Sequence, residues 1–417
     1  MAGRRKPPGE GAASYAPVLN SALQATTASV QAMHQAIAGK TFDSLQLVPG
    51  LAVPTRIVQG VHDAISQGVY AAVRHGGGAA FALAADVERF TTDSSRQPQG
   101  KELAVRSALN AAVGDRLEAS GSPLAVQMGL FADGKPLDVS KAALAHLPAR
   151  VALFIHGLAC DEQSWNLRSD AWGTSPWAGT LTLGAPIRYG ALLHTELGIG
   201  SLYLRYNTGV AIEHNAQQLA ALLTHVARAA PQVREWVLIG HSMGGLVARA
   251  ALALARSERH AWAARAPMLV CLGSPHQGAP LEKIGHLTTA ALGLSKVTQP
   301  LGRIANARSQ GIKDLRQGLK GRSVAASSVH GAEPAPVALR FISATLGDAG
   351  DRVMGPLIGK LFGDGLVMGS SASDEGLAGD VQRVEVKGIG HMALLNHPRV
   401  YAVLREWLGA PALAGST

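Results

Sequence analysis

Trp236-Val237-Leu238-Ile239-Gly240-His241-Ser242-Met243-Gly244-Gly245-Leu246 is the stretch from which the fold is read. Its first four residues form a short apolar run, and Leu246 to Arg256 is rich in good helix formers, so the reading is strand, sharp turn, helix. The turn carries Gly240-His241-Ser242-Met243-Gly244, a G-x-S-x-G sequence. A serine on such a turn is lifted above the sheet, and the flanking glycines let neighbouring backbones come close. Five letters of this kind recur by chance. The strand before them and the helix after them give them meaning.

A serine hydroxyl is a weak nucleophile until a base removes its proton, and that base needs a carboxylate to hold its tautomer and stabilise its charge. Downstream lie three strand-like runs, Met268 to Leu272, Val337 to Ala344 and Val381 to Val386. After the third comes Lys387-Gly388-Ile389-Gly390-His391-Met392, a glycine-loosened loop that presents His391 as the candidate base. His397 competes, but it precedes Pro398, the first residue expected in the last helix, and so reads as a surface or cap residue. His241, next to the serine, is expected to point to the other side of the turn and to pack. For the acid, Asp364 is favoured in Phe362-Gly363-Asp364-Gly365, where glycines let a carboxylate turn inward. Asp348, at the end of its strand in Leu346-Gly347-Asp348, is the alternative.

The chain resembles the α/β-hydrolases of the lipase and esterase kind, in particular bacterial lipases and the inositol-deacylase-like group. The resemblance rests on Phe154-Ile155-His156-Gly157-Leu158, Arg205-Tyr206-Asn207-Thr208-Gly209, the serine turn, Gly273-Ser274-Pro275-His276-Gln277-Gly278, Gly363-Asp364-Gly365-Leu366-Val367 and Gly390-His391. It implies a mostly parallel sheet flanked by helices and the chain order Ser, then Asp, then His. It also implies an oxyanion hole built from two backbone N–H groups, assigned to Met243, after the nucleophile, and Leu158, in the loop after the third strand. His156 would shape that loop. The expected activity is hydrolysis of carboxylic esters through an acyl-serine. An acyltransferase using the same acyl-serine, or a non-catalytic protein that binds a lipid or partner, are the alternatives. Polyester synthases of similar fold use cysteine at the elbow, which Ser242 disfavours.

Related bacterial lipases hold calcium through an aspartate two residues beyond the catalytic histidine. Here that position is Ala393, among Met392, Leu394 and Leu395, and such a stretch offers a hard cation only backbone carbonyls. No metal and no cofactor are expected. Small-molecule or lipid esters are the expected partners.

Composition agrees with this reading. Of 417 residues, 47% are hydrophobic but only 5% aromatic, so the core should be Ala, Leu, Val and Ile. The formal charge of +9 is spread along the chain, apart from Arg4-Arg5-Lys6, and leaves no nucleic-acid footprint, while weak contact with anionic lipid surfaces remains open. Cys160 and Cys271 read as reduced thiols. The N-terminus has no apolar h-region and no window reaches the roughly 18 apolar residues of a membrane span, so a cytoplasmic location is expected.

The domain reading is a tail over 1–14, a helical N-terminal region over 15–122, the hydrolase over 123–409 and a tail over 410–417. Within the N-terminal region four stripes recur at helical spacing: Leu19 to Ile37, Ile57 to Val73, Phe81 to Phe90 and Val105 to Leu117. Asp133-Gly134 is a hairpin turn near the start of the hydrolase. Residues 281–334 read as an insertion with apolar helical faces, which either caps the site or is a structural helical excursion.

Overall fold

A computed structural model describes residues 99–167, 169–179, 187–276, 278, 309–317, 337–345 and 379–409, together with positions 35 and 59. The first three helical stripes, both tails, most of the 281–334 insertion, and both candidate acids, Asp348 and Asp364, lie outside the described residues.

Among the described residues eight strands form one sheet in the order β2-β1-β4-β3-β5-β6-β7-β8. These are β1 (Gly129–Ala132), β2 (Lys135–Pro136), β3 (Arg150–Ile155), β4 (Gly200–Arg205), β5 (Glu235–His241), β6 (Met268–Leu272), β7 (Ala338–Thr345) and β8 (Val381–Lys387). Strands β4, β3, β5, β6, β7 and β8 are parallel, β1 is antiparallel to β4, and β2 is antiparallel to β1. The hairpin turns through Asp133 (φ 49°) and Gly134 (φ 74°), two successive left-handed residues, the backbone that an Asp-Gly pair favours.

Helices cover both faces, which explains the unbroken apolar runs of the central strands. On one face Val151, Leu153, Ile155, Trp236 and Leu238 pack against helices α4 (Ile212–Ala229) and α5 (Met243–Ser257). On the other, Ala152, Phe154, Val237, Ile239 and Leu272 pack against α3 (Tyr189–Leu197) and α7 (Pro398–Gly409), with Trp165 and Trp172 filling the layer. Successive strand residues point to opposite faces, so the one-residue alternation sorts each run between two cores. A short α2 (Lys141–Leu144) precedes β3.

The contacts divide the chain into Met1–Pro98 and Gln99–Thr417. The helix built on the fourth stripe, α1 (Gly100–Ala119), lies in the second unit with the sheet. Its Asn110 side chain donates to the Leu124 carbonyl at 2.9 Å and accepts from the Val126 N–H at 2.9 Å, and Arg106 binds the carbonyls of Pro123, Leu124 and Ala125. From the insertion, α6 (Gln310–Gln317) docks beside it: Ser309 Oγ donates to the Ala111 carbonyl at 2.6 Å, and the Gln310 N–H donates to Asp115 at 3.0 Å. Helix α4 begins at Ile212 after an alanine that offers no side-chain cap, and the Asp314 carboxylate of α6 accepts from the Ile212 N–H at 2.9 Å instead. No described helix is long and apolar enough to cross a membrane.

Candidate active site

Ser242 stands between the last residue of β5 and the first of α5, with φ 54° and ψ −123°. That backbone is uncommon for a residue with a Cβ and costs about 1–3 kcal/mol, so the surroundings must enforce it. They do so through close packing. The Ser242 N–H donates to the Leu272 carbonyl of β6 at 2.8 Å. A Cβ on Gly240 would overlap the backbone of Gly244 and Gly245, and one on Gly244 would overlap the carbonyl oxygens of Ile155 and His156 at the end of β3. The two glycines of the motif therefore serve close approach between strand, turn and helix. Gly244→Ala should lose about 1–3 kcal/mol by overpacking against backbone that cannot yield. Thermal unfolding checks this, and an unchanged midpoint would contradict the packing.

The loop after β3 lies against the nucleophile. A Cβ on Gly157 would sit 3.0 Å from Ser242 Cβ and 3.0 Å from His241 Nδ1. The loop is tied from β4 and its following segment: the Tyr206 hydroxyl donates to the His156 carbonyl at 2.8 Å, and the Ala159 N–H donates to Thr208 Oγ1 at 3.3 Å. The His156 ring stacks on Tyr206 with centroids 4.5 Å apart, and its Nδ1 lies 3.0 Å from the Gly157 carbonyl. Burial pushes His156 down to about 4, so the ring is neutral at pH 7. Among the described residues, neither the Leu158 nor the Met243 N–H has a hydrogen-bond acceptor. Met243 also opens a 15-residue helix, whose N-terminus favours negative charge.

His391 opens a short 3-10 turn, His391–Leu395, beyond β8. Its ring reaches the end of β6: a Cβ on Gly273, itself at φ 61°, would lie 2.9 Å from His391 Nδ1 and Cε1. Since Gly273 follows Leu272, the backbone partner of Ser242, histidine and serine converge on the C-terminal ends of β5 and β6. Among the described residues His391 Nε2 is buried without a hydrogen-bond partner, and burial pushes the ring down to about 4, which keeps it in the basic form. Ala393, Leu394 and Leu395 are buried behind it.

Two other histidines fall where their local sequence sends them in different degrees. His397 caps α7, its Nδ1 accepting from the Arg399 N–H at 3.2 Å. His241 differs from expectation: its ring meets His391, centroids 4.6 Å apart, and its Nε2 lies 3.1 Å from the His391 carbonyl oxygen. It continues the row Val237, Ile239, His241, which faces the α3 and α7 layer where the His391 turn also packs.

Sequence reasoning passed over Glu162, in the 3-10 turn Glu162–Asn166 that follows the β3 loop. Its carboxylate takes Arg205 in a two-pronged ion pair, Nε to Oε2 at 2.7 Å and NH2 to Oε1 at 2.6 Å, with the guanidinium 4.0 Å over the Phe131 ring. Only the presence of Arg205 in the Arg-Tyr-Asn-Thr-Gly segment hinted at it. Cys160 and Cys271 are both buried and not joined in a disulfide, and burial pushes the Cys160 thiol up to about 12, far from thiolate chemistry. Among the described residues no cluster of three or more His, Cys, Asp or Glu could hold a metal.

Residues 181–310 match the PGAP1-like alpha/beta domain family. No curated protein matches the chain. Similar solved structures include the mature lipase BlEst2 of Bacillus licheniformis, 17% identical over 68% of this chain and 98% of that one, with a TM-score of 0.42. A thermophilic esterase from Thermogutta terrifontis with malate bound is 16% identical over 68% and 93%, with a TM-score of 0.35. A structure from a study of carboxylesterases of the thaumarchaeon Nitrososphaera gargenis is 12% identical over 68% and 94%, with a TM-score of 0.38. With its serine turn on the fifth strand of that sheet and its histidine turn after the eighth, the chain has the α/β-hydrolase fold, and its residues 181–310 match the PGAP1-like alpha/beta domain.

Proposed function

We propose that the protein is a serine hydrolase that cleaves carboxylic esters, with Ser242 as nucleophile, His391 as base and Asp364 as the acid that orients it. The observation that carries this reading is the backbone of Ser242, held at a positive φ between β5 and α5 within the layer that also receives the His391 ring. Strain at a single non-glycine residue persists only where the surroundings maintain it, and such positions cluster at reactive sites.

In the first half-reaction Ser242 Oγ attacks the ester carbonyl carbon as its proton passes to His391 Nε2. The carbonyl oxygen becomes the oxyanion and receives the Leu158 and Met243 N–H groups. The tetrahedral species collapses, the bond to the alkoxy oxygen breaks, and that oxygen leaves as alcohol with the proton from His391. In the second half-reaction water attacks the acyl carbon, giving its proton to His391, and collapse releases the acid and returns the proton to Ser242. The Asp364 carboxylate holds the imidazole in the tautomer with Nδ1–H and stabilises the imidazolium. Supporting this assignment, Nε2 of His391 has no hydrogen-bond partner among the described residues, which leaves its lone pair available to the serine proton.

The acid is tested by comparing two variants. Asp364→Asn should lower kcat on a p-nitrophenyl ester by roughly ten-thousandfold, by analogy with loss of the triad carboxylate elsewhere, and Asp348→Asn by far less. The opposite ranking would transfer the role to Asp348. Profiling wild-type turnover across acyl chains from acetyl to palmitoyl then defines the substrate class.

A further inference from the structure

His241 is a buried histidine one residue before the nucleophile, and packing alone does not account for it. A phenylalanine would fill the same space between Trp165, whose ring centroid is 6.5 Å away, and His391, without the cost of burying polar nitrogens. What histidine adds is a hydrogen bond. A carbonyl oxygen only accepts, so the 3.1 Å contact with the His391 carbonyl requires the proton to be on His241 Nε2. His241 Nδ1 is then an unprotonated acceptor; it is buried without a partner and faces Gly157 of the β3 loop. One imidazole thus touches three parts of the site: the serine turn that carries it, the loop expected to supply an oxyanion donor, and the turn that carries the base.

We propose that His241 is a positioning residue for the serine relay, in that its Nε2–H fixes the peptide carbonyl of His391 and so sets where the base stands relative to Ser242. The proposal rests on the serine-hydrolase reading above. Besides this bond, the His391 turn is held by the Ala393 N–H donating to the Gly390 carbonyl at 3.0 Å, by the Tyr189 hydroxyl donating to the Leu394 carbonyl at 3.0 Å and by apolar packing of Leu394 and Leu395. A displacement of about 1 Å in a catalytic group can cost on the order of a hundredfold in rate.

The test compares His241→Phe, which keeps a ring and loses the donor, with His241→Gln, whose amide can reach the same carbonyl. On a p-nitrophenyl ester, His241→Phe should lower kcat roughly ten- to a hundredfold with little change in KM, and His241→Gln should recover most of the loss. The second-order rate of Ser242 labelling by a fluorophosphonate should follow the same ranking. Wild-type kcat in His241→Phe, or equal losses in both variants, would overturn the proposal. Failure of the wild-type protein to label at all would instead overturn the hydrolase reading and this proposal with it. Nitrogen NMR of the full-length protein gives a readout independent of turnover and of how the Phe variant folds. The His241 signals, assigned by their loss in His241→Gln, should report the Nε2–H tautomer, and the Nδ1–H tautomer would overturn the proposal.

Discussion

Ser242→Ala will leave the protein folded and remove esterase turnover by roughly six orders of magnitude, the scale on which losing a nucleophile acts when nucleophile and base work as a unit. The exchange deletes one oxygen. Alanine occupies the same volume at a side chain only 3% exposed, so the backbone strain of the turn changes little and the thermal midpoint should stay within a degree or two of the parent. Covalent labelling by a fluorophosphonate should vanish with turnover. A variant that still labels would place the nucleophile elsewhere and remove the chemical basis for reading Leu158, Met243 and His391 as its accessories.

The largest effect on stability is expected from Glu162→Ala. Arg205 would be left with its side chain 9% exposed, over the Phe131 ring, without the carboxylate that holds it in two places. Breaking one side of such a buried pair costs about 3–5 kcal/mol, because the guanidinium loses the carboxylate that binds it in two places. That corresponds to a fall of about 10 °C in the midpoint for a unit of this size. Urea denaturation and calorimetry check it, and a loss below about 1 kcal/mol would show that the pair contributes as little as an exposed one. Replacing both partners by apolar residues, Glu162→Leu with Arg205→Met, should recover part of the deficit, since the buried guanidinium is then removed together with its carboxylate. Turnover should fall with Glu162→Ala as well, because the turn holding Glu162 continues directly from the loop beside Ser242.

Much of the sheet was legible because parallel strands covered on both faces appear as continuous apolar runs, as at Val151 to Ile155 and Met268 to Leu272. The Asp133-Gly134 hairpin and the start of the last helix at Pro398 were legible for a local reason, since each depends on backbone angles that few residues favour. Other features depend on contacts between distant segments. The bounds of β4, Gly200 to Arg205, are of this kind, since Gly200 pairs with Val151 and Tyr206 leaves the strand to bond the His156 carbonyl. Helix α1 carries the same kind of apolar stripe as the helical patterns before it. The polar bonds of Asn110 and Arg106 that join it to residues 123 to 126 leave no periodic trace. For His241, the strand alternation that places it beside His391 was present in Val237 and Ile239, but the turn motif drew attention away from it. Serine and histidine were thus readable as candidates from chemistry and order, while Asp364 and Asp348 lie outside the described residues.

The carboxylate of Asp314 seals the start of α4 from 102 positions further along the chain. During synthesis at about 5–20 residues per second, that partner emerges roughly 5–20 s after Ile212 has left the ribosome. Through that interval the Ile212 N–H at the first turn of α4 lacks that acceptor, and the helix leading into the β5 strand is held by its apolar face and by local bonds such as that from Asn215 to the Asn207 carbonyl. A nascent chain stalled before residue 314 should therefore exchange the Ile212 amide proton faster than the finished protein does.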